Sequence, residues 1–455
     1  MEGVWLAPSD AALEPNPAWV RIDQTYNVQQ WTVDRGRQNE MSRTSTGTAR
    51  VELVDKFGDF DPTNTGGAFY GLLYTGVPMG PLVQAMIGLQ NPCSPTDSGT
   101  IFRGFISSIA WTPYQTQEWA NVTLELVDGL ALLAAAEMPF DGTVGDDFLD
   151  GNIVFDEDLN LNAVQTRIGK LLDAAGWPVE LRSIFTGNVA LQRTVYPPRT
   201  PILSAMQDAA DAEFPDVSNI YIGGPRHPGE VVFHGRFARF HPGDGSYGLL
   251  TWLLGDDAAA GRVRVSPPLV ASLDDTLLYT SALATPANVN DKDIPGQYVE
   301  NTPAKNRIGL RTWSAENLVT ARGAPPPAGG ANTTALQETL LYADYVRDNY
   351  YRPRVRVGQL TVKTRRPDSD DGPAVWQFFT QVDISDQVLL STTHPAGGGF
   401  ANEPFYVEGI HYTVTPGPAA IKGDTGATLF PAYPIVEVVL HVSPAGYYDS
   451  NPFEA

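Results

Sequence analysis

What most constrains this chain is a two-residue apolar period that recurs in short runs and is broken again and again by glycine or proline. In 122–126, Val122, Leu124 and Leu126 alternate with Thr123 and Glu125; in 435–442, Val436, Val438, Leu440 and Val442 form one apolar face opposite Glu437 and His441. Successive side chains of a strand point to opposite sides, so each run presents one face to a core and one to water. Strand-like runs also occupy 19–22, 48–54, 354–362, 376–384 and 405–414. In the 405–414 run the apolar phase switches across Glu408 and Gly409, which predicts a β-bulge that bends the strand. The breaks include Asp55-Lys56-Phe57-Gly58-Asp59 and Asn64-Thr65-Gly66-Gly67, where glycine supplies the positive φ of tight turns. With 43 glycines and 37 prolines in 455 residues, the chain has enough punctuation for many short strands.

Between the β runs the period changes. Val164, Ile168, Leu171, Leu172 and Ala175 fall on one face of a helix, with Asn162 as its cap, Gln165 in the capping-box position and Gly176 as the left-handed terminator. A second helix is expected from Thr200 as N-cap and Pro201 as first helical residue, with Ile202, Met206 and Ala209 on one face. Residues 218–222 and 230–234 flank a Gly-Gly-Pro turn and read as a hairpin. A third helix is expected over 335–349, with Leu336, Leu340, Ala343 and Val346 aligned, and a short strand at 308–311. The fold class is therefore mainly β with an α+β insert. Residues 1–140 form a barrel-like or sandwich β domain. Residues 141–283 form a mixed αβ domain that opens with an acidic connector. Residues 284–334 are a Pro/Gly-rich linker with short strands, and 335–455 add a helix and a second barrel-like β domain.

Composition narrows the function. Thirty Lys and Arg stand against 52 Asp and Glu, a net charge of −22. That balance argues against wrapping nucleic acid or an anionic membrane, both of which need clustered cations. Seven of the acids lie between 141 and 158 with no base among them. Cys93 is the one cysteine, so an internal disulfide and a thiolate zinc site are both excluded. The start, Met1-Glu2-Gly3-Val4-Trp5, has neither the basic nor the apolar stretch of a secretory signal, and the apolar run at 129–136 is far shorter than a membrane span. No membrane anchoring is expected.

No motif for chemistry survives inspection. Gly66 to Gly71 has phosphate-loop spacing, but Leu72 and Leu73 stand where a lysine and a hydroxyl residue are required. Asp244-Gly245-Ser246-Tyr247-Gly248 lacks the first glycine of a nucleophile elbow. His227, Glu230, His234 and His241 are of metal-ligand type, yet His227 and Glu230, three apart on a β ribbon, would point to opposite faces. Asp156-Glu157-Asp158-Leu159-Asn160 opens like a calcium loop, but Leu161 and Arg167 occupy the places of its glycine and bidentate glutamate. Trp111, Tyr114 and Trp119, with Glu118 and Glu125 nearby, could stack on sugar, or serve as core or interface. Tyr350-Tyr351-Arg352-Pro353-Arg354 has the residue types of a subunit contact. No catalytic, cofactor-binding or metal residue is assigned, and no enzyme is expected.

The order of features is more informative than any of these. Arg35-Gly36-Arg37, the run from Ser45 through Asp59-Phe60-Asp61-Pro62-Thr63-Asn64, and Ile101-Phe102-Arg103-Gly104-Phe105-Ile106 together resemble the opening of minor tail proteins of long-tailed phages. Leu171-Leu172-Asp173-Ala174-Ala175-Gly176-Trp177, the helix and hairpin in 202–236, Tyr406-Val407-Glu408-Gly409-Ile410 and Leu440-His441-Val442-Ser443-Pro444 resemble later parts of the same family.

The resemblance implies a baseplate or tail-tip hub: β domains associated as a ring, typically a homotrimer, at the tip of a virion tail and made in the bacterial host cytoplasm. Its partners would be further copies of itself, the tail tube or distal tail protein, the tape measure protein, and tail fibre or spike proteins, with genomic DNA passing through without specific binding. A distal tail protein forming a hexameric ring is the alternative in the same system. A carbohydrate-binding or cell-wall glycan-hydrolysing tail protein is the alternative of another class. The acidity further suggests a channel face that repels passing DNA.

Overall fold

The computed structural model describes residues 3–7, 13–61, 63–70, 83–94, 96–112, 120–139, 145–149, 152–160, 162–214, 218–240, 247–257, 261–273, 275, 277–287, 296–323, 333–393, 398–417, 421–422, 428–430 and 433–445. The first 127 residues hold the strands β1 (Gly3–Ala7), β2 (Val20–Arg21), β3 (Asn27–Gly36), β4 (Ser45–Asp55), β5 (Gln84–Gln90), β6 (Ser98–Thr112) and β7 (Ala120–Val127), of which β2, β4 and β7 fall on the alternating runs read from the sequence. Their inward residues, among them Trp31, Val33, Val51, Leu53, Val122, Leu124 and Leu126, are buried in one core.

The next part of the chain holds α1 (Gly129–Ala135), β8 (Asp147–Leu149), β9 (Asn152–Phe155), α2 (Ala163–Ala174), β10 (Arg182–Ile184), β11 (Val189–Leu191), β12 (Thr194–Tyr196), α3 (Ile202–Asp211), β13 (Asn219–Ile222), β14 (Val231–His234) and α4 (Phe237–Phe240). Helices α1 to α3 share a second core with β9, β11 and the hairpin, built from Leu130, Ile168, Leu172, Met206, Ile222 and Phe233. The expected hairpin is present, antiparallel, with β10 added in parallel along β14.

Then follow β15 (Thr251–Gly255), β16 (Val263–Arg264), β17 (Ala271–Leu273), β18 (Ser281–Pro286), β19 (Gln297–Glu300), α5 (Thr302–Ile308), β20 (Thr312–Leu318), β21 (Thr320–Gly323), α6 (Ala335–Tyr350), β22 (Val355–Val357), β23 (Gln359–Lys363), α7 (Gly372–Gln381), β24 (Gln387–Ser391), β25 (Glu403–Thr415), β26 (Ile421–Lys422), β27 (Thr428–Phe430) and β28 (Ile435–Pro444). Helix α6 packs Tyr342, Tyr345, Val346 and Tyr350 against the small sheet of β18, β19 and β20 in a third core. Its start is fixed by a capping box between Thr334 and Gln337.

The mainly β class with a mixed αβ insert holds, but the N-terminal and C-terminal strands are joined. Strand β25 pairs with β28 along its length, with β24 through Glu403 to Tyr406 and with β3 through Gly409 to Val414. The resulting mixed sheet runs β16-β15-β24-β25-β3-β4-β7-β6-β5-β1-β2, with β28 also carrying β23. Among the described residues no closed barrel is found, because β25 spends one edge on strands from both ends of the chain instead of letting each set close on itself.

Several local expectations are corrected. Residues 376–384, read as a strand, begin inside α7: Val375, Trp376, Phe378 and Phe379 are buried at spacings that suit a helix, and Pro373 stands in its first turn. The 308–311 strand is instead the end of α5, closed by Gly309 at φ +88, and the strand begins at Thr312. Asn162 and Gln165 make no capping box on α2, whereas Gly176 does terminate it at φ +65. Thr200 does not cap α3, since its hydroxyl donates to the Pro197 carbonyl and Pro201 takes the cap position. Part of the acidic connector is a hairpin, β8 with β9, which β12 extends. The Pro/Gly run at 324–330 lies outside the described residues.

Candidate functional site

The bulge predicted at Glu408 is where β25 changes partner. Register along β28 slips between Val407 and Gly409, leaving Glu408 without an opposite residue. On the other edge Gly409 faces Gly36, which has φ +97. A Cβ on Gly36 would stand 2.3 Å from the Glu408 carbonyl oxygen, so only glycine admits this crossing. The extra residue turns the Glu408 side chain inward, where it is fully buried.

There its carboxylate accepts from Arg37 Nε at 2.7 Å, from Arg239 Nη1 at 2.5 Å and Nη2 at 2.8 Å, and from the Ser443 hydroxyl. Burial pushes this carboxyl up, but the two guanidiniums, Arg239 foremost, outweigh it and hold Glu408 down at about 2. Arg37 follows β3, Arg239 lies in α4, and Glu408 and Ser443 belong to β25 and β28. One carboxylate thus ties three distant parts of the chain.

Two further pairs, one buried and one part-buried, tie β3 and the hairpin to the loop that precedes β24. Arg35 Nη2 lies 3.1 Å from Asp383 Oδ1, and the Arg35 Nη1 donates to the Ile222 carbonyl at 3.2 Å. Asp383 also accepts from the Gly224 N–H at 3.0 Å, and a Cβ on Gly224 would collide with the Arg35 guanidinium. Arg226 forks Asp386 at 2.9 and 2.6 Å, and Asp386 additionally accepts from Trp252 Nε1 and the Leu250 N–H, both at 2.9 Å. These charges hold the Arg226 guanidinium above its ordinary value in spite of burial. Beyond the hairpin, Arg236 pairs with Glu213 at 3.3 Å and with Glu338 of α6. Arg356 of β22 pairs with Glu40 at 2.8 Å. A buried pair is worth little net stability, but removing one partner strands the other in the interior, which is costly. The chemistry of this region is ion pairing between segments that are distant in the chain.

The residues singled out from sequence do not converge on it. His227 Nδ1 and Glu230 Oε2 meet at 3.1 Å, contrary to the opposite-face expectation, because both sit on the turn, where the Glu230 N–H donates to the His227 carbonyl. His234 is buried with its ring centroid 4.8 Å from that of Phe185, which also meets the His227 ring at 6.2 Å, and His241 lies outside the described residues. No group of three or more His, Cys, Asp or Glu side chains is arranged for a metal ion among the described residues. In the calcium-like loop Asp158 bridges to Leu191, and Arg167 turns inward to donate to the Asp156 and Gln192 carbonyls. Asp146 pairs with Lys170 at 2.6 Å.

Trp111 packs on the main core and Glu125 faces Arg50 at 3.7 Å, while Tyr114, Glu118 and Trp119 lie outside the described residues. Gly66 and Gly67 form a turn held by Asn64, and Gly71 to Leu73 lie outside the described residues, as do Asp244 to Ser246. Tyr350 is interior, 6.3 Å from the Tyr279 ring, so it does not cap a subunit contact; Arg352 covers Tyr351. Sequence reasoning missed the arginine set. Its one legible signal was the Glu408-Gly409 phase switch, together with Arg35-Gly36-Arg37 in the strand that faces it.

No family model matches this chain, and no curated protein matches it. Its fold is similar to that of a tail protein from Neisseria meningitidis MC58, at TM-score 0.51 and 11% identity, covering 98% of this chain and 97% of that one. A 43 kDa tail protein of prophage MuSo2 from Shewanella oneidensis aligns at TM-score 0.49 and 12% identity, over 98% and 99% of the two chains. A prophage tail protein from Listeria monocytogenes aligns at TM-score 0.42 and 8% identity.

Proposed function

From a chain that has the fold of phage tail proteins, we propose a structural subunit of a phage tail tip, a baseplate hub that assembles as a homotrimeric ring beneath the tail tube. In this reading the ring joins the tube or distal tail protein and the tape measure protein to distal fibres or spike, and encloses the channel through which DNA leaves. The observation that carries it is the end-to-end likeness of fold to a tail protein over 98% of this chain. The buried arginine–carboxylate joints support it: a ring under load needs subunits whose parts cannot shift against one another. The subunit is read as non-enzymatic, its work being done by interfaces.

Solution mass measured across a range of concentrations tests the ring. Three times 49.3 kDa is expected at high concentration. A hexamer would favour the distal tail alternative, and a monomer throughout, also in the presence of tail tubes, would overturn both. Incubation with purified cell wall tests the third reading; sustained release of reducing ends, abolished in Glu118→Gln, would replace the structural reading with a hydrolytic one. The charge expectation has its own check, since a basic lumen in a reconstruction of the assembled ring would overturn it.

A further inference from the structure

A pocket of about 790 Å³ lies between β16, β17, β22 and the segments 392–393 and 399–400. Val265, Leu269, Ala271, Val355 and Phe400 give it apolar walls. Those walls continue outward: Leu273 and Val355, register partners across β17 and β22, are 64% and 48% exposed, and Val270 beside them is 64% exposed. Two strands paired only with each other are marginal in water, and an apolar outer face on such a ribbon is unusual unless something covers it.

The polar groups say what kind of partner fits. Arg264 lines the pocket half-buried, and its guanidinium makes no hydrogen bond or ion pair with the described residues. Asp256, on the same lining, already accepts from the Thr393 N–H at 2.7 Å and its hydroxyl at 3.1 Å. The pocket therefore offers a cation that is unspent among the described residues and an acid whose hydrogen bonding is partly met. A guanidinium beside apolar walls recognises a carboxylate next to an apolar group.

We propose that this pocket receives an extended segment of a partner protein, in which an apolar side chain enters between Leu269, Val355 and Phe400 while a neighbouring carboxylate is forked by Arg264. The proposal rests on the assembly reading for the partner being a protein, and it specifies the surface that partner must present.

The test uses the full chain and fluorescein-labelled synthetic peptides in which a leucine stands beside aspartate, asparagine or lysine, read by anisotropy. The aspartate peptide is expected to bind at least about tenfold more tightly than the asparagine one, the difference a charge-assisted pair supplies. Arg264→Gln should erase that preference, Leu273→Asp should weaken every peptide, and Asp256→Asn should tighten the aspartate peptide by removing a like charge. Preference for lysine, no binding by any peptide, or a preference unchanged in Arg264→Gln overturns the proposal. So does a concentration-dependent rise in mass that Leu273→Asp abolishes and the peptides do not compete, since the occupant is then a second copy. Rings that take no peptide overturn this proposal alone, whereas a permanent monomer that binds the aspartate peptide overturns the assembly reading alone.

Discussion

The Glu408 carboxylate is shared by Arg37, Arg239 and Ser443 in the interior. Glu408→Gln keeps its size but leaves Arg37 and Arg239, each with a side chain only 1% exposed, facing a neutral amide. A loss of about 3–5 kcal/mol is expected in denaturant titration, and a loss under about 1 would mean that water reaches the site. His234 gives a second residue-scale expectation. It is 2% exposed, its ring nitrogens have no hydrogen-bond partner among the described residues, and burial pulls its value down to about 3 from an ordinary 6.5. The unfolded chain then takes up a proton near pH 6.5 that the folded chain refuses until near pH 3. Stability is full above that window and falls by about 1.4 kcal/mol per pH unit as pH drops through it. His234→Leu should flatten this contribution between pH 6 and pH 4 in parallel denaturation curves. Equal slopes in the two proteins would show that the imidazole is not the group responsible.

At the scale of elements, the bulge in β25 and the left-handed glycine ending β3 act as one device. The bulge lets β25 leave β24 and take up β3, and Gly36 lets the two backbones cross. Gly36→Ala places a methyl group into the Glu408 carbonyl and forces a strained φ, so a cost of about 2–4 kcal/mol is expected in thermal or chemical unfolding. The same substitution at Gly176, where a Cβ would meet nothing within 4 Å, should cost only the strain of its positive φ, about 1 kcal/mol. Equal costs at the two positions would remove the crossing argument. Helix α7 carries the opposite lesson about elements: four of the five positions 375–379 are apolar, with only Gln377 between, so a two-residue and a helical period both fit, and only the side chains it meets decide between them.

Across the whole molecule, the first strands and the last form one sheet, and the αβ insert is fastened to that sheet by arginines. A fragment ending at residue 127 would expose the edge of β3 that β25 covers, together with Trp31 and Val33. It is expected to aggregate or remain unfolded by circular dichroism and gel filtration, while the full chain unfolds its sheet as one unit. A soluble, cooperatively folding fragment would mean that the N-terminal strands are self-sufficient and that the joints are ornament to stability.

Much of the local structure was legible because alternation and helical spacing are short-range properties: β4, β7, the hairpin, α2, α6, β28 and the bulge all follow from residues within a few positions of one another. The sequence by itself also determined that one cysteine permits no internal disulfide and that the charge is strongly negative. What only the tertiary structure decided is which strands share an edge and which arginine meets which acid. Arg37 and Glu408 are 371 positions apart, and nothing in local periodicity encodes so distant a pair. Such pairings are settled by burial: a guanidinium withdrawn from water must find a carboxylate, and the one it finds depends on how all the segments pack at once.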